Sequence, residues 1–346
     1  MNEIEVRRRA TVHDVARAAG VSLATVDRVL NGRPGVRPAT AQKVEAAVAE
    51  LGFHRDLSAS LLARARDLTM VFLIPGGSNE FMESLAEAVE RRAVPARAER
   101  MHVEARRIPA LDPQALADAL DGLDARDWGC AVIVASEDEP VMAAVERAAR
   151  RGIGVMTLVS DLPGSARRQF VGIDNVAAGR TAASLIGRFC PQGKIGVIAG
   201  SMHLRDHRER LEGFRAVLAR DFPGLDVLDP VEGHDETDET REQAAALIAA
   251  HPELAGLYNL GAGNAGLVAA LDASQRAGGI RVVAHELTAP TRAGLQSGAI
   301  DVVLDQNPDG EIRAAIAAAR ALALGGTGPA GAEPIEIGIF LRDNLR

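Results

Sequence analysis

The sequence predicts a small all-α head of helix-turn-helix type, a short hinge helix, and a larger two-lobed α/β body with parallel sheets and helices on both faces. Two observations support this fold class. Residues 11–51 contain three segments with apolar residues at helical spacing, separated by glycine or proline. From Leu68 onward, apolar runs typical of buried strands alternate with helical patterns, and such alternation produces parallel sheets covered by helices.

The first two predicted helices are joined by a glycine turn. Helix one is expected to begin at about Val12, with Thr11 and Asp14 as an N-cap pair. Gly20 lies where a tight turn needs a positive φ, and Ser22 is the expected N-cap of helix two. The inward face of helix two should consist of Val21, Thr25 or Val26, Val29 and Leu30. Its outward face carries Leu23, Ala24, Asp27 and Arg28.

A third helix is expected to begin at Pro38, after residues 31–35 end helix two, and to end at Gly52. The residues expected to close a small core are Val44, Ala47, Val48 and Leu51. A unit that inserts a helix into the DNA major groove is built in this way, so helix two is the candidate recognition helix.

These residues closely resemble the DNA-binding domain of the LacI-type repressor family. The family pattern D-V-A-x-x-A-G-V-S-x-x-T-V-x-R-V-L-N is met at every specified position of residues 14–31. The resemblance implies that DNA is contacted by Thr11, Ser22, Leu23, Ala24, Thr25, Arg28, Asn31, Arg33 and Arg37. Asp27 departs from the usual serine, and its carboxylate has three options: facing a cytosine amine, pairing with Arg28, or lying away from the duplex.

The N-terminal part of the chain is basic and the rest is acidic, as expected for a DNA-binding head attached to an acidic body. The 346-residue chain has a formal net charge of −8, yet residues 1–66 hold eleven Lys or Arg against seven Asp or Glu. Cys130 and Cys190 lack metal or redox spacing, so buried free thiols are expected. No apolar run reaches bilayer length and residues 1–10 lack a signal-peptide core, so we expect a cytoplasmic, nucleoid-associated protein.

Residues 55–66 are similar to the hinge helix of the family, after a head at residues 1–54. The resemblance implies a helix that folds on operator DNA, pairs with its copy in a second subunit and kinks the duplex with a leucine. By position the leucine is Leu62, and Ala59 allows the two helices to approach. Arg55 replaces a proline common in this segment. The alternative is an interdomain linker whose leucines pack on the body.

The body, residues 67–346, is expected to form two similar α/β lobes, and the resemblance implies a type I periplasmic-binding-protein fold that closes on a small molecule. The first lobe should comprise about residues 67–172 and 307–330, and the second about residues 173–306 and 331–346. Strands are expected at residues 69–75, 130–135, 154–158, 170–173, 194–199, 256–258 and 281–284. Helices are expected at residues 81–92, 141–151, 177–189 and 208–221.

Ligands of open α/β sheets lie beyond the carboxyl ends of the strands, so the cleft between the lobes is the expected effector site. The candidate ligand residues are Asn79, Phe81, Ser160, Asp161, Arg208, Arg210, Tyr258, Asn259, Asn264, Glu286 and Gln306. The resemblance assigns Arg210 to ligand hydroxyls, with Arg208 second. Phe81 and Tyr258 are the candidates for ring stacking, and Glu286 replaces a usual aspartate.

Aromatic residues make up only 3% of the chain, which favours a small sugar, polyol or sugar acid over a purine-like effector. Arg208 and Arg210 also suit a carboxylate or phosphate, so the charge of the effector is left open.

Two other function classes have features in the sequence. Residues 261–266 spell G-x-G-x-x-G with Glu286 about twenty residues further on, as in a nucleotide-cofactor site. The same glycines also suit a strand-to-helix turn. A solute-binding receptor is the second alternative, and the basic head argues against it.

No nucleophile elbow, H-E-x-x-H or paired cysteine pattern is present, so we expect neither an enzyme nor a cofactor. The candidate residues for a metal site in the cleft are His203, His207, His234 and His285, and hydrogen-bonded loop histidines are the more common alternative. The sequence therefore predicts a homodimeric repressor that binds palindromic operator DNA and is released by a sugar-like effector. Induction by the effector is the default direction, and the residues do not fix its sign.

Overall fold

The computed structural model describes residues 12–30, 35–51, 67–323 and 335–345. In the head, three helices occupy the predicted places: α1 (Val12–Ala19), α2 (Leu23–Leu30) and α3 (Pro38–Glu50). Their shared core consists of Val15, Ala16, Ala19, Val26, Val44 and Ala47. Val26 rather than Thr25 is the fully buried residue of α2. The expectation that Leu51 closes this core is wrong, because its side chain is 38% exposed just beyond α3.

The turn between α1 and α2 has the predicted backbone geometry. Gly20 adopts φ +64°, in the left-handed region that glycine tolerates. The Val21 N–H donates to the Ala16 carbonyl at 3.0 Å and so closes the end of α1. This turn brings α2 across α1 and lets both helices share the core.

The first lobe is a five-stranded parallel sheet in the order β2-β1-β3-β4-β5. Its strands are β1 (Leu68–Pro75), β2 (Met101–Ile108), β3 (Cys130–Ile133), β4 (Gly154–Leu158) and β5 (Gln169–Val171). Its helices are α4 (Glu80–Ala98), α5 (Pro113–Asp121) and α6 (Glu139–Arg150). Apolar side chains fill a core on each face of the sheet. Helices on both faces confirm the predicted fold class here.

The second lobe has the sheet order β12-β11-β10-β9-β6-β7, with β8 paired to β6. Its strands are β6 (Gly193–Ala199), β7 (Leu225–Val227), β8 (Val231–Glu232), β9 (Leu254–Asn259), β10 (Arg281–His285), β11 (Val302–Asp305) and β12 (Gly338–Phe340). Its helices are α7 (Asn175–Phe189), α8 (Arg205–Asp221), α9 (Thr237–Ala250), α10 (Asn264–Ala273) and α11 (Ala289–Ser297). Among the strands that the structure describes, only β12 pairs antiparallel, and it lies at the edge of the sheet.

The chain passes between the lobes more than once. It leaves the first lobe after β5, and it returns after β11 through α12 (Pro308–Ala323), whose Ile312 and Ala315 pack in the first-lobe core. It then re-enters the second sheet as β12. The final residues form a 3₁₀ turn at Arg342–Asn344. Crossings of this kind place the carboxyl ends of the parallel strands of both lobes around one cleft.

Within the described residues, no helix is both long and apolar enough to span a membrane.

Candidate DNA-reading helix and ligand cleft

Helix α2 presents one face to the head core and the other to solvent. The Ser22 hydroxyl caps it by accepting from the Thr25 N–H at 3.2 Å, and it also lies 2.9 Å from the Thr25 hydroxyl. Leu23 is 41% exposed, and Ala24 and Arg28 are also exposed. An exposed guanidinium beside small apolar side chains suits purine edges and thymine methyl groups in a major groove.

Some of the other residues considered for DNA binding lie within the described residues, and some lie outside them. Arg37 is exposed immediately before α3, and Asp27 is half-buried on α2. Thr11, Asn31, Arg33, Ala59 and Leu62 lie outside the described residues. The proposed DNA contacts of these five therefore stay predictions.

The two lobes of the body touch directly across the cleft. The Ser78 hydroxyl donates to Glu236 at 2.5 Å, and the Asn79 amide donates to Asp235 at 3.1 Å. On the β3–α6 side, Glu137 accepts from the guanidinium groups of Arg205, at 2.8 Å, and Arg208. These contacts join first-lobe loops to α8 and to the loop before α9.

Beneath these contacts lies a small polar cavity of about 30 Å³, here called the inner chamber. Its polar lining is Asn79, Asp206, His207, Arg210, Asp235, Glu286 and Gln306. Four polar atoms of this lining are buried and have no hydrogen-bond partner among the described residues: Asp206 Oδ1, Arg210 Nη2, Glu286 Oε2 and Gln306 Oε1. A buried polar atom without a partner costs free energy, so a group that pairs with these atoms gains affinity.

Arg210 is held rigidly at the base of the chamber. Its Nε donates to Asn175 Oδ1 at 2.9 Å and its Nη1 to the Leu260 carbonyl at 2.8 Å. Its Nη2 lies 3.8 Å from Asp206 Oδ2 and 4.0 Å from Glu286 Oε1, beyond hydrogen-bond distance. The Nη2 group of Arg210 therefore makes no hydrogen bond among the described residues and is available to donate one to a ligand.

Glu286 follows β10 with φ +68°, a conformation that L side chains rarely adopt. Its N–H donates to the Leu304 carbonyl at 2.8 Å, and its Oε1 accepts from Gln306 at 2.6 Å. Burial raises the pKa of the Glu286 carboxyl to about 8, although the Arg210 guanidinium opposes this rise. Strained backbone and a perturbed carboxyl at a strand end are typical of a binding site.

Phe81 and Asn79 also reach the inner chamber. Phe81 is 4% exposed and supplies part of the apolar wall, while the Asn79 side chain caps α4 by accepting from the Phe81 and Met82 amides. With Arg210, Glu286 and Gln306, these are the predicted ligand residues that the structure brings together.

Tyr258 does not reach the cleft, so the expectation that it stacks on a ligand ring is wrong. Its ring is fully buried and stacks on Phe214 at a centroid distance of 4.6 Å, and its hydroxyl lies 2.8 Å from His285 Nε2. Tyr258 thus packs in the core of the second lobe.

Asn259 and Asn264 shape the turn after β9. The Asn259 amide donates to Asn264 Oδ1 at 2.8 Å and to the Ala262 carbonyl at 2.9 Å, and the Asn264 amide donates to the His285 carbonyl at 3.1 Å. Their hydrogen-bonding groups are used within the protein rather than offered to a ligand.

Three further predicted ligand residues lie away from the inner chamber. Asp161 pairs with Arg167 at 2.5 Å and accepts from the Thr157 hydroxyl. Arg208 is turned toward Glu137 and the carbonyls of residues 202 and 203. Ser160 is buried beside β4, and its hydroxyl has no partner among the described residues.

A larger cavity of about 420 Å³, here called the outer chamber, adjoins the inner one. The two chambers share Asn79, Met82, Val134, Leu204 and Asp235 as lining residues. The outer chamber has an apolar wall from the first lobe, including Ile108 and Leu116. Its volume is within the range of small-molecule sites.

The G-x-G-x-x-G glycines are accounted for by contacts within the second lobe. Gly263 adopts φ +74°, and a Cβ on Gly266 would lie 1.9 Å from the Thr237 carbonyl of α9. The Ala262 N–H donates to Asp235 Oδ1 at 2.7 Å, so a carboxylate occupies the place that a cofactor phosphate needs. This geometry weakens the nucleotide-cofactor alternative.

Three of the four histidines considered for a metal site contact different partners. His285 contacts Tyr258, His207 Nδ1 lies 3.0 Å from the Ser201 carbonyl, and His234 pairs with Glu239 at 2.7 Å. Burial lowers the pKa of His285 well below its usual value. Among the residues that the structure describes, no cluster of three His, Cys, Asp or Glu side chains suits a metal ion.

Two family models match this chain. The model described as bacterial regulatory proteins, lacI family, covers residues 11–56, and the periplasmic binding protein domain covers residues 70–327. The chain belongs to the periplasmic binding protein domain family through its body, and its head is a DNA-binding domain of the lacI family. The resemblance inferred from the sequence is confirmed, and several relatives are named HTH-type transcriptional regulators, among them GalR of Escherichia coli.

The relatives align with this chain over different lengths. Catabolite control protein A of Priestia megaterium is 44% identical over 80 residues, 23% of this chain and 24% of that protein. The regulator CelR of Thermobifida fusca is 30% identical over 223 residues, 62% of this chain and 63% of that protein. The chain thus matches about a quarter of the length of the first of these relatives.

Solved structures share the fold of the body. A solute-binding protein of Burkholderia graminis, in complex with D-arabinose, superposes with a TM-score of 0.73 at 22% identity, covering 81% of this chain and 97% of that chain. GanP, a glucose-galactose binding protein of Geobacillus stearothermophilus, gives 0.73 at 18% identity, covering 81% and 99%. At these identities the likeness establishes the two-lobed fold alone.

The sequence reasoning missed three residues of the inner chamber: Asp206, His207 as a wall residue, and Asp235. Asp206 lies one helical turn before Arg210 on α8, and this i, i+4 spacing places both side chains on one face. Asp235 lies in the loop after β8, a strand too short to be recognised by its pattern.

Proposed function

We propose that this protein is a ligand-responsive transcriptional repressor of carbohydrate or polyol catabolism genes. Its head binds a palindromic operator, and a small sugar-like effector in the inter-lobe cleft releases it. The main support is the set of buried, unpartnered polar atoms around the inner chamber, in a body attached to a head with an exposed recognition helix. The regulators named above and the sugar-bound neighbour of the body support the same assignment.

In this proposal, Arg28 reads a purine edge, and Leu23 and Ala24 contact thymine methyl groups. Thr25, Asn31, Arg33 and Arg37 hold the DNA backbone and fix the register of the head. Two heads in a homodimer read two half-sites, because a two-fold symmetric protein matches a palindromic operator. Leu62 is the proposed minor-groove wedge, with Ala59 at the crossing of the paired hinge helices.

Effector control follows from the contacts between the lobes. A ligand that pairs with Arg210, Glu286 and Gln306 binds groups from the second lobe, while Asn79 and Phe81 bind it from the first. Such a ligand stabilises one angle between the lobes by its differential affinity for that arrangement. Changing this angle in a dimer separates the hinge helices and lowers the affinity for the operator.

The test is a gel-shift titration of the full-length protein with DNA fragments from its own genomic neighbourhood. We expect saturable binding to at least one fragment at low salt, and loss of binding when an effector is added. Scrambled fragments of equal length are the control. Equal affinity for scrambled and native fragments under all conditions would contradict the proposal.

A further inference from the structure

We propose that the effector is an amino sugar or amino polyol, with its hydroxyls in the inner chamber and a protonated amine facing the carboxylates of the outer chamber. This inference rests on the proposed function, because it assigns the inter-lobe cleft to the effector. It selects one class among the neutral, acidic and basic polyhydroxy compounds that fit a cleft of this size.

The inner chamber needs a ligand that both donates and accepts hydrogen bonds. Of its four unpartnered atoms, Asp206 Oδ1 and Gln306 Oε1 are acceptors and Arg210 Nη2 is a donor, while Glu286 Oε2 is a donor when the carboxyl is protonated, the state that its raised pKa favours at neutral pH. These four side chains are each at least nine-tenths buried, so bulk water cannot satisfy them. Hydroxyl and ammonium groups donate, whereas a carboxylate or phosphate only accepts.

The arginines that would recognise an acidic effector are already engaged. Arg210 donates from Nε to Asn175 and from Nη1 to the Leu260 carbonyl, and its Nη2 lies 3.8 Å from Asp206 Oδ2, a carboxylate that opposes an anion at this place. Arg208 pairs with Glu137 and with main-chain carbonyls. The alternative left open by the sequence, a carboxylate or phosphate on the effector, would therefore place an anion beside the Asp206 carboxylate.

The outer chamber adds negative charge around the same ligand. Among the described residues its lining includes five carboxylates, Asp112, Asp138, Glu232, Asp235 and Glu236, with His203 and His234 and no Lys or Arg. All of these carboxylates except Asp138 already accept a hydrogen bond within the protein. Asp138 occupies the N-cap position of α6 without making a side-chain cap hydrogen bond, so its carboxylate is not used by the helix. A cluster of carboxylates in a partly enclosed site attracts an ammonium group and repels an anion.

One molecule can occupy both chambers, because they share five lining residues and meet at Asn79 and Asp235. The apolar wall that Ile108 and Leu116 provide suits the C–H face of a sugar or polyol chain. These features together favour a polyhydroxy amine over a simple metal cation, since a cation alone leaves the Arg210 donor and the apolar wall without partners.

The test is calorimetric titration of the full-length protein with matched probes. Glucosamine, galactosamine, mannosamine and glucamine are compared with their N-acetyl derivatives, with the parent sugars and sorbitol, and with the uronic acids. We expect at least one amine to bind about tenfold or more tightly than its neutral counterparts, and the uronic acids not to bind. Added salt should weaken amine binding more than neutral binding.

Two matched variants test whether the Asp138 carboxylate attracts the amine of the ligand. Asp138→Asn should weaken amine binding by about three- to fivefold and leave neutral probes unaffected. Asp127→Asn, an exposed carboxylate of the same lobe outside both chambers, is the control and should change neither. Equal or tighter binding of neutral or acidic probes, absence of binding by every amine, or an unchanged Asp138→Asn variant would overturn the inference.

A gel shift with the same probes separates this inference from the proposed function. If an amine binds as expected and operator affinity stays constant, the proposed function fails and the effector class stands. If a neutral sugar releases the operator while amines do not bind, the proposed function stands and the effector class fails.

Discussion

Single side chains in the inner chamber combine burial with unused hydrogen-bonding capacity. Arg210 is 2% exposed and is fixed by two donated hydrogen bonds, while its third nitrogen faces the chamber. Glu286 and Gln306 each use one side-chain atom for the other and leave one unpaired. Preorganised polar atoms of this kind bind a ligand without first having to be ordered.

Replacing Arg210 with lysine should remove the Nη2 group that faces the inner chamber but keep the positive charge. We expect effector affinity to fall about tenfold to hundredfold, because one charge-assisted hydrogen bond is lost. Operator affinity without effector should be unchanged, since Arg210 lies only in the second lobe. Calorimetry and gel shift measure the two affinities, with the exposed Arg215→Lys on the same helix as the control. An unchanged effector affinity would remove Arg210 from the site.

Glu311, in the first turn of α12, is fully buried, and neither carboxyl oxygen has a partner among the described residues. Burial raises the pKa of Glu311 well above its usual value, and the nearby Glu286 adds to the rise. The folded protein therefore holds a proton that the unfolded chain releases above pH about 4.3. Stability is lost as pH rises from that value toward the folded-state pKa.

Glu311→Gln should remove this loss of stability. Relative to the native protein, the free energy of unfolding of the variant should increase with pH, by up to about 1.4 kcal/mol per pH unit, from pH about 4.3 up to the folded-state pKa of Glu311. Urea unfolding at several pH values measures this difference. Exposed Glu90→Gln on α4 is the control and should show no such trend. A pH-independent difference would mean that Glu311 is ionised in the folded protein.

At the scale of elements, α2 illustrates how a short helix depends on its neighbours. Eight residues are too few to form a stable helix alone, so α2 is held by the Ser22 cap and by Val26 in the head core. Because only one face packs, the opposite face is free to present Leu23, Ala24 and Arg28. The helical period of about 3.6 residues therefore sets both the buried face and the exposed face of α2.

Arg28→Ala should lower affinity for the native operator by about 1–3 kcal/mol, because a guanidinium contact to a base edge is lost. Affinity for scrambled DNA should change much less. Lys43→Ala on α3, also exposed and basic, is the matched control for charge alone. Fluorescence anisotropy with both DNAs gives the ratio, and equal losses on native and scrambled DNA would assign Arg28 to the phosphate backbone instead.

At the scale of the whole body, loops distant in sequence hold the two lobes together. Glu137 of the first lobe binds Arg205 and Arg208 of the second, and Asn79 binds Asp235 on the other side of the outer chamber. The Glu137 ion pairs are about one-third exposed, so their contribution is modest. They bias the cleft toward closure independently of any ligand.

Glu137→Gln should shift the lobes toward an open arrangement. We expect the affinity for the tightest-binding amine or sugar to fall by about fivefold, the effect of about 1 kcal/mol, and the radius of gyration to increase. Calorimetry and small-angle X-ray scattering measure the two quantities. Glu139→Gln, exposed at the start of α6, is the control. A reduced radius of gyration, or an unchanged affinity, would show that this ion pair does not favour closure.

The sequence by itself determined the elements whose causes are local. The starts of α1 and α3, the glycine turn and the alternation of strands and helices follow from caps, positive φ and periodicity within short windows. The same local pattern identified the family and most polar residues at strand ends. Edge strand β2 and short strand β8 gave weaker patterns, because half-exposed or two-residue strands carry little periodicity.

Only the tertiary structure decided which polar residues meet. Tyr258 and Arg210 both belong to segments that the sequence singled out, yet Tyr258 packs in the core of the second lobe and Arg210 lines the cleft. Asp206 lines the site because of the way α8 packs, and Asp235 lines it because of the course of the loop after β8. Local periodicity fixes which face of an element is buried, but the partner of each buried polar atom depends on contacts between residues far apart in the chain.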